Sequence, residues 1–181
     1  MKSSRKKVSN LMKIKIYRDT QTLHYAAQEL LKYLKMMSAE LDGEIVIGDY
    51  DENAMNLGLL SDYGLSEEGV KDAMIDDLID VKVDSLKGYF AGSNERSVLM
   101  GVYNYFKSAG CRWVRAGEKG EYIPKKDMSG HCLSYRKKAD YPFRGQCIEG
   151  AIGFEHVRDT VLWLPKINMN MFMIEQIIPY N

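Results

Sequence analysis

Polar and apolar positions alternate where the chain first becomes patterned. Lys13-Ile14-Lys15-Ile16-Tyr17 changes character at every residue, the period of a strand with one buried face. Beyond Thr20 and Thr22, either of which can cap a helix, Leu23, Ala26, Ala27, Leu30, Leu31, Leu34 and Met37 recur at helical spacing through a stretch free of Gly and Pro. Gly43 follows closely. Glu44-Ile45-Val46-Ile47-Gly48 then holds three consecutive β-branched residues, which predicts a short strand covered on both faces. The opening reads strand, helix, strand.

From Asp49 to Asp84 acids outnumber bases eleven to two, and Gly58, Gly64 and Gly69 interrupt any regular period, so most of this stretch is expected to be surface loop and short helix. Ile79-Asp80-Val81-Lys82-Val83 alternates again and Lys87-Gly88-Tyr89-Phe90-Ala91 is short and aromatic, which puts Ser85-Leu86 in the connection of two paired strands. Gly92-Ser93-Asn94 breaks the chain. Ser97 is placed to cap a helix whose Val98, Leu99, Val102, Tyr103, Phe106 and Ala109 form one face, with Gly110 where a glycine ends helices. Cys111-Arg112-Trp113-Val114 resumes extended structure.

Pro124 to Asp140 is polar and basic with little period, and 126–140 is read as a linker. Phe143 to Ile148 then reads as a strand, Phe154, Val157, Val161, Leu162 and Leu164 as a helix stopped by Pro165, and Asn170 to Ile174 as a second strand. A strand, helix, strand unit opens a parallel sheet or barrel. The expected organisation is a basic, disordered tail over 1–12, an α/β domain over 13–125, the linker, and the start of a barrel over 141–181. The expected fold class is α/β (α+β), a mixed sheet with helices packed on one face followed by an incomplete TIM-barrel start.

Composition narrows the function. The chain has 181 residues, 45% hydrophobic and 28% charged, enough for one full domain and a remainder. Its 25 basic and 25 acidic residues cancel to a net charge of +0, which argues against a nucleic-acid binder or a protein held on anionic membrane, since both need a sustained basic excess. No apolar run is long enough to span a membrane, and the basic start lacks the apolar stretch of a secretion signal. Cys111, Cys132 and Cys147 show no CxxC spacing, pointing to buried thiols in a reducing, cytoplasmic setting. His24, His131 and His156 have no metal-site spacing, so neither metal nor cofactor is expected.

Three constellations invite a chemical reading. The Gly88 to Ser97 segment joins a strand to a helix, as phosphate loops do, but it has neither the closing Lys-Ser/Thr nor a GxGxxG spacing, and a turn with a capped helix suffices. Glu67-Glu68 and Asp76-Asp77 are adjacent acids that point apart, whereas glycosidic carboxylates must face each other across a sugar, so a solvated surface is the expectation. Arg144 and Glu149 are the stronger pair. On a strand from Phe143 to Ile148, Glu149 falls near the C-terminal end, where α/β barrels handle ligands, and Arg144 can offer a planar fork to sugar hydroxyls or a carboxylate. An Arg–Glu ion pair in a barrel floor is the competing structural explanation.

Longer motifs carry a resemblance. Gly88-Tyr89-Phe90-Ala91-Gly92-Ser93-Asn94-Glu95-Arg96-Ser97-Val98-Leu99-Met100-Gly101-Val102-Tyr103-Asn104-Tyr105-Phe106, then Gly110-Cys111-Arg112-Trp113-Val114-Arg115 and Gly120-Glu121-Tyr122-Ile123-Pro124, resembles the domain preceding the catalytic barrel in β-N-acetylhexosaminidase-like and α-glucuronidase-like glycoside hydrolases. The opening strand and the Ala26-Ala27-Gln28-Glu29-Leu30 helix match the same domain, a zincin-like fold that needs no zinc. Tyr141-Pro142-Phe143-Arg144-Gly145-Gln146-Cys147-Ile148-Glu149-Gly150 is similar to the first barrel strand of family 20 hexosaminidases, whose Arg-Gly arginine holds hydroxyls of the terminal sugar. The resemblance thus implies a carbohydrate substrate, with Arg144 and Glu149 as substrate-binding residues and Glu149 standing where an Asp is more usual.

A complete eight-stranded barrel takes about 250 residues. The resemblance places the catalytic acids on later strands, so no catalytic residue is expected within this chain. Two alternatives stand beside the hydrolase reading: a stand-alone, non-enzymatic module that docks on another chain or on itself through exposed strand edges, and a decayed reading frame.

Overall fold

A computed structural model describes residues 11–149 and 153–175. The tail expected over 1–12 lies outside the described residues except for Leu11 and Met12, and Met12 already opens the first strand.

Six strands form a mixed sheet. In chain order they are β1 (Met12–Ile16), β2 (Gly43–Ile47), β3 (Met55–Leu59), β4 (Leu78–Asp84), β5 (Lys87–Gly92) and Leu133–Lys138, which is β8. Two short strands between them, β6 (Arg112–Trp113) and β7 (Glu121–Tyr122), pair with each other. Across the sheet the order is β2, β1, β3, β5, β4, β8. The first four are mutually parallel, and β4 runs antiparallel to both its neighbours.

Two helices cover one face. The first, α1 (Gln21–Met37), starts where expected, with the Thr20 hydroxyl accepting from the Leu23 amide. Its Leu23, Ala26, Ala27, Leu30 and Leu34 are fully buried. The second, α2 (Glu95–Ser108), begins two residues before the expected cap: Asn94 accepts from the Ser97 amide at 2.8 Å. Ser97 is displaced from the capping role because its own hydroxyl turns inward to Asp77 and Asn94. Gly110 ends the helix at φ +110°, as expected. The core joins these helices to Ile14, Ile16, Met55, Leu57, Val81 and Phe90 of the sheet. At Gly101 a Cβ would meet Val81 Cγ2 at 3.0 Å, so α2 lies this close to β4 because it carries no side chain there.

The expected hairpin forms. Ser85 and Leu86 both have positive φ, 51° and 62°, the geometry of a two-residue turn that follows the strand twist. The fold class is therefore as the pattern predicted, a mixed α/β sheet with helices on one face.

Three features depart from the expectations. First, β3 sits mid-sheet between β1 and β5, inside a stretch read as loop. The acids around it masked Met55-Asn56-Leu57, whose Asn56 side chain is buried and bonded to the carbonyl oxygens of Asp51, Ala54 and Gly88. Second, β2 is an edge strand with Ile47 exposed, and not a strand covered on both faces. Third, the stretch read as a linker supplies β8, whose alternating Ser134, Arg136 and Lys138 pair across β4.

After β8 comes the second unit. Strand β9 (Gly145–Glu149), helix α3 (Phe154–Trp163), a 3-10 turn at Leu164–Ile167 and strand β10 (Met171–Glu175) follow the expected strand, helix, strand order. β9 and β10 pair in parallel, Gly145 opposite Met171 through Glu149 opposite Glu175. Pro165 lies in the 3-10 turn that ends the helix.

Candidate functional site

Arg144 precedes β9, and Glu149 closes it. The two stand at opposite ends of a five-residue strand, roughly 16 Å apart along it. The structure does not bring them together.

Arg144 is instead the centre of the junction between the two units. Its Nη2 donates to Asp77 Oδ2 at 2.6 Å, its Nε to the Asn168 carbonyl at 2.8 Å, and its Nη1 to the Tyr141 carbonyl at 2.6 Å. The Arg144 side chain is 19% exposed and Asp77 is 1% exposed. Asn170 adds a second clasp, donating to Asp77 Oδ2 at 2.9 Å and to the Pro142 carbonyl at 2.7 Å.

Asp77 gathers bonds from both sides. Its Oδ1 accepts from Arg96, Ser97 and Asn94 at the start of α2, while its Oδ2 accepts from Arg144 and Asn170 beside β9 and β10. Burial pushes this carboxyl up, but the bonds from Arg144, Arg96 and Asn94 outweigh it and hold it below the usual carboxylate range. The expectation of a solvated Asp76-Asp77 surface is corrected here. Asp76 accepts from the Lys71 and Asp72 amides and is mostly covered, and Asp77 is a buried ionic hub. Adjacent acids do point apart, as expected, but one of them points inward. Arg96, within the Gly88 to Ser97 segment weighed as a phosphate loop, is spent on the same carboxylate.

Around this clasp the contact is polar and reciprocal. Asn104 of α2 and Asn168 exchange amide hydrogen bonds at 3.2 and 3.0 Å, and the Trp163 indole donates to the Trp113 carbonyl at 2.9 Å.

At the far end of the strand pair, Glu149 and Glu175 stand in register on neighbouring parallel strands, both exposed. This is the C-terminal edge, where parallel β/α folds present ligand-handling groups. Among the described residues no group of three His, Cys, Asp or Glu side chains is placed to hold a metal ion. No described helix is long and apolar enough to cross a membrane.

No family model matches this chain, and no curated protein matches it.

Proposed function

We propose that this chain is the N-terminal portion of a carbohydrate-active glycoside hydrolase, β-N-acetylhexosaminidase-like or α-glucuronidase-like, and non-catalytic by itself. One observation carries the reading. The β9–β10 pair is apolar on both faces, with Cys147, Met171 and Met173 on one and Ile148, Phe172 and Ile174 on the other, and Met171, Met173 and Ile174 are exposed. Parallel strands of this composition are normally covered on both faces, by helices outside and by barrel side chains inside. Further parallel β/α units supply both covers.

In this reading the six-stranded sheet is the accessory domain, and the Arg144–Asp77 clasp fixes the first barrel strand to it. Glu149, at the C-terminal end of β9, faces the side on which a completed barrel would bind sugar. Arg144 reaches a sugar only by exchanging a protein partner for a hydroxyl. In the hexosaminidase branch the substrate's acetamido group is the nucleophile, so the protein must supply an acid, and that acid belongs to a later strand. Only Cys111 is the buried thiol expected of all three cysteines; Cys132 and Cys147 are exposed, and exposed thiols of this kind suit a reducing, cytoplasmic location.

The exposed strand pair equally supports a second reading, a non-enzymatic module that docks on another chain or on its own copy. Hydrolysis of aryl β-N-acetylhexosaminides and aryl glucuronides by the purified 181-residue chain tests the first reading. No turnover is expected, and turnover lost in Arg144→Ala would overturn it. Alkylation of Cys147 in the same preparation separates the two: rapid labelling in a monomer supports the incomplete barrel, while a protected thiol in a sedimenting dimer supports the docking module.

A further inference from the structure

The two units also meet along a second line, away from Arg144, where their surfaces do not close. Between α1, residues 115–121 and α3 lies an open cleft of about 1110 Å³. Glu29, Glu121 and Lys166 line it, with side chains only 7%, 13% and 10% exposed. Lys166 pairs with Glu121 Oε1 and lies over the rings of Tyr33 and Tyr103, 5.6 and 5.9 Å from their centres. The Tyr33 hydroxyl donates to the same Oε1 at 2.9 Å and in turn accepts from the Trp113 indole at 3.2 Å. Glu29 accepts from Tyr103 at 2.8 Å.

This network holds its charges firmly yet leaves them with spare capacity. Among the described residues no donor is bonded to Oε2 of Glu121. The Lys166 ammonium has three N–H donors and gives one hydrogen bond. A spare acceptor and spare donors thus stand side by side in one polar cleft.

The pairing selects the ligand. The lining carries five basic side chains, Arg115, Lys119 and Arg158 besides Lys32 and Lys166, against four acidic ones, so the two signs nearly balance and neither a strong anion nor a strong cation is favoured. A hydroxyl group accepts from the ammonium and donates to the carboxylate, so neighbouring hydroxyls answer both at once. The rings of Tyr25 and Trp163 add apolar wall for the C–H face of such a ligand. The volume lies slightly above the range of ordinary ligand pockets, roughly 300–1,000 Å³, enough for more than one sugar ring.

We propose that this cleft binds a neutral oligosaccharide at the junction of the two units. Lys166 lies just before β10, so the site is at the N-terminal end of the strand pair, opposite Glu149 and Glu175. It uses none of the exposed strand-pair residues, and it stands or falls separately from the barrel reading.

The chain's two tryptophans, Trp113 and Trp163, both belong to this neighbourhood, so their fluorescence reports on it. The 181-residue chain is titrated with oligomers of N-acetylglucosamine and of glucose, with glucuronic acid, and with inorganic phosphate. A saturable change with a neutral oligosaccharide is expected, weakened at least tenfold by Glu121→Gln. Ala116→Phe places a ring in the cleft from its rim without touching the buried network. It is expected to weaken binding as much while leaving the unfolding midpoint unchanged, and it decides the matter if Glu121→Gln does not fold. A response to glucuronate or phosphate alone, binding indifferent to Ala116→Phe, or no saturable response at millimolar oligosaccharide would each overturn the proposal.

Discussion

The sheet domain and the β9–α3–β10 unit follow the same local rules and end in opposite states. In the first, Phe90, Leu30 and Tyr103 are wholly buried, and the apolar positions of each helix find a partner. In the second, Met173 is 52% exposed and Phe154 74%, although the pattern that specifies its strands and helix is just as regular. Periodicity therefore fixes an element without guaranteeing its cover. What differs is the number of layers: the sheet has α1 and α2 above it, whereas two parallel strands and one helix cannot enclose a core.

The largest test of that contrast is a pair of truncations. Phe90→Ala is expected to cost about 3–5 kcal/mol in urea unfolding, because it opens a cavity among packed neighbours. Met173→Ala removes a side chain that already faces solvent and should stay within about 0.5 kcal/mol. Equal losses would mean that β10 is covered, by a second copy or otherwise, and would break the comparison.

The clasp comes next. Asp77→Asn keeps the shape but strips the charge facing Arg144 and Arg96. Breaking a buried pair costs about 3–5 kcal/mol, and the partial exposure of both arginines brings the expectation down to about 2–3 kcal/mol. The loss should appear as faster hydrogen exchange over residues 141–149 and 153–175 and at the start of α2, where Asp77 Oδ1 holds Asn94, Arg96 and Ser97, with the amides of β1, β2 and β3 unchanged. The Asp77 carboxyl is held below its ordinary value, so its contribution is complete above the unfolded carboxylate pKa near 4 and disappears as pH falls through the lower folded value. Acid titration of the fluorescence of Trp113 and Trp163 together should show this transition in the native chain and lose it in Asp77→Asn.

The sheet domain was largely legible in the sequence because its signals are local. The Thr20 cap, the α1 face, the Ser85-Leu86 connection and Gly110 all act within a few residues. What escaped reading depended on distant partners. Asp77 looks like one acid among eleven until α2 delivers Arg96 and Ser97 to it and the second unit delivers Arg144 and Asn170. β3 is recognisable as a strand only once β1 and β5 flank it, because Gly58 and the surrounding acids hide its alternation. Sequence pattern singles out Arg144 but not its partner: the competing ion-pair explanation names the nearby Glu149, and the strand holds those two at opposite ends. The cleft was invisible for the same reason, since Glu29, Glu121 and Lys166 are brought together from three distant segments.

The smallest effect asks whether the two units are one cooperative body. Ser85 has φ 51°, a conformation that Asn tolerates better than Ser, and the turn lies at the hairpin end far from Arg144. Ser85→Asn is expected to stabilise the sheet domain by up to about 0.5 kcal/mol, with loss of the Ser85 to Asp84 hydroxyl bond working against the gain. Hydrogen exchange at core amides of β4 and β5 should slow accordingly. If β9 and β10 slow by the same factor, the clasp makes the C-terminal unit unfold with the sheet. If they do not change, that unit opens independently, and its exposed faces belong to a segment held at one end by Arg144 and Asn170.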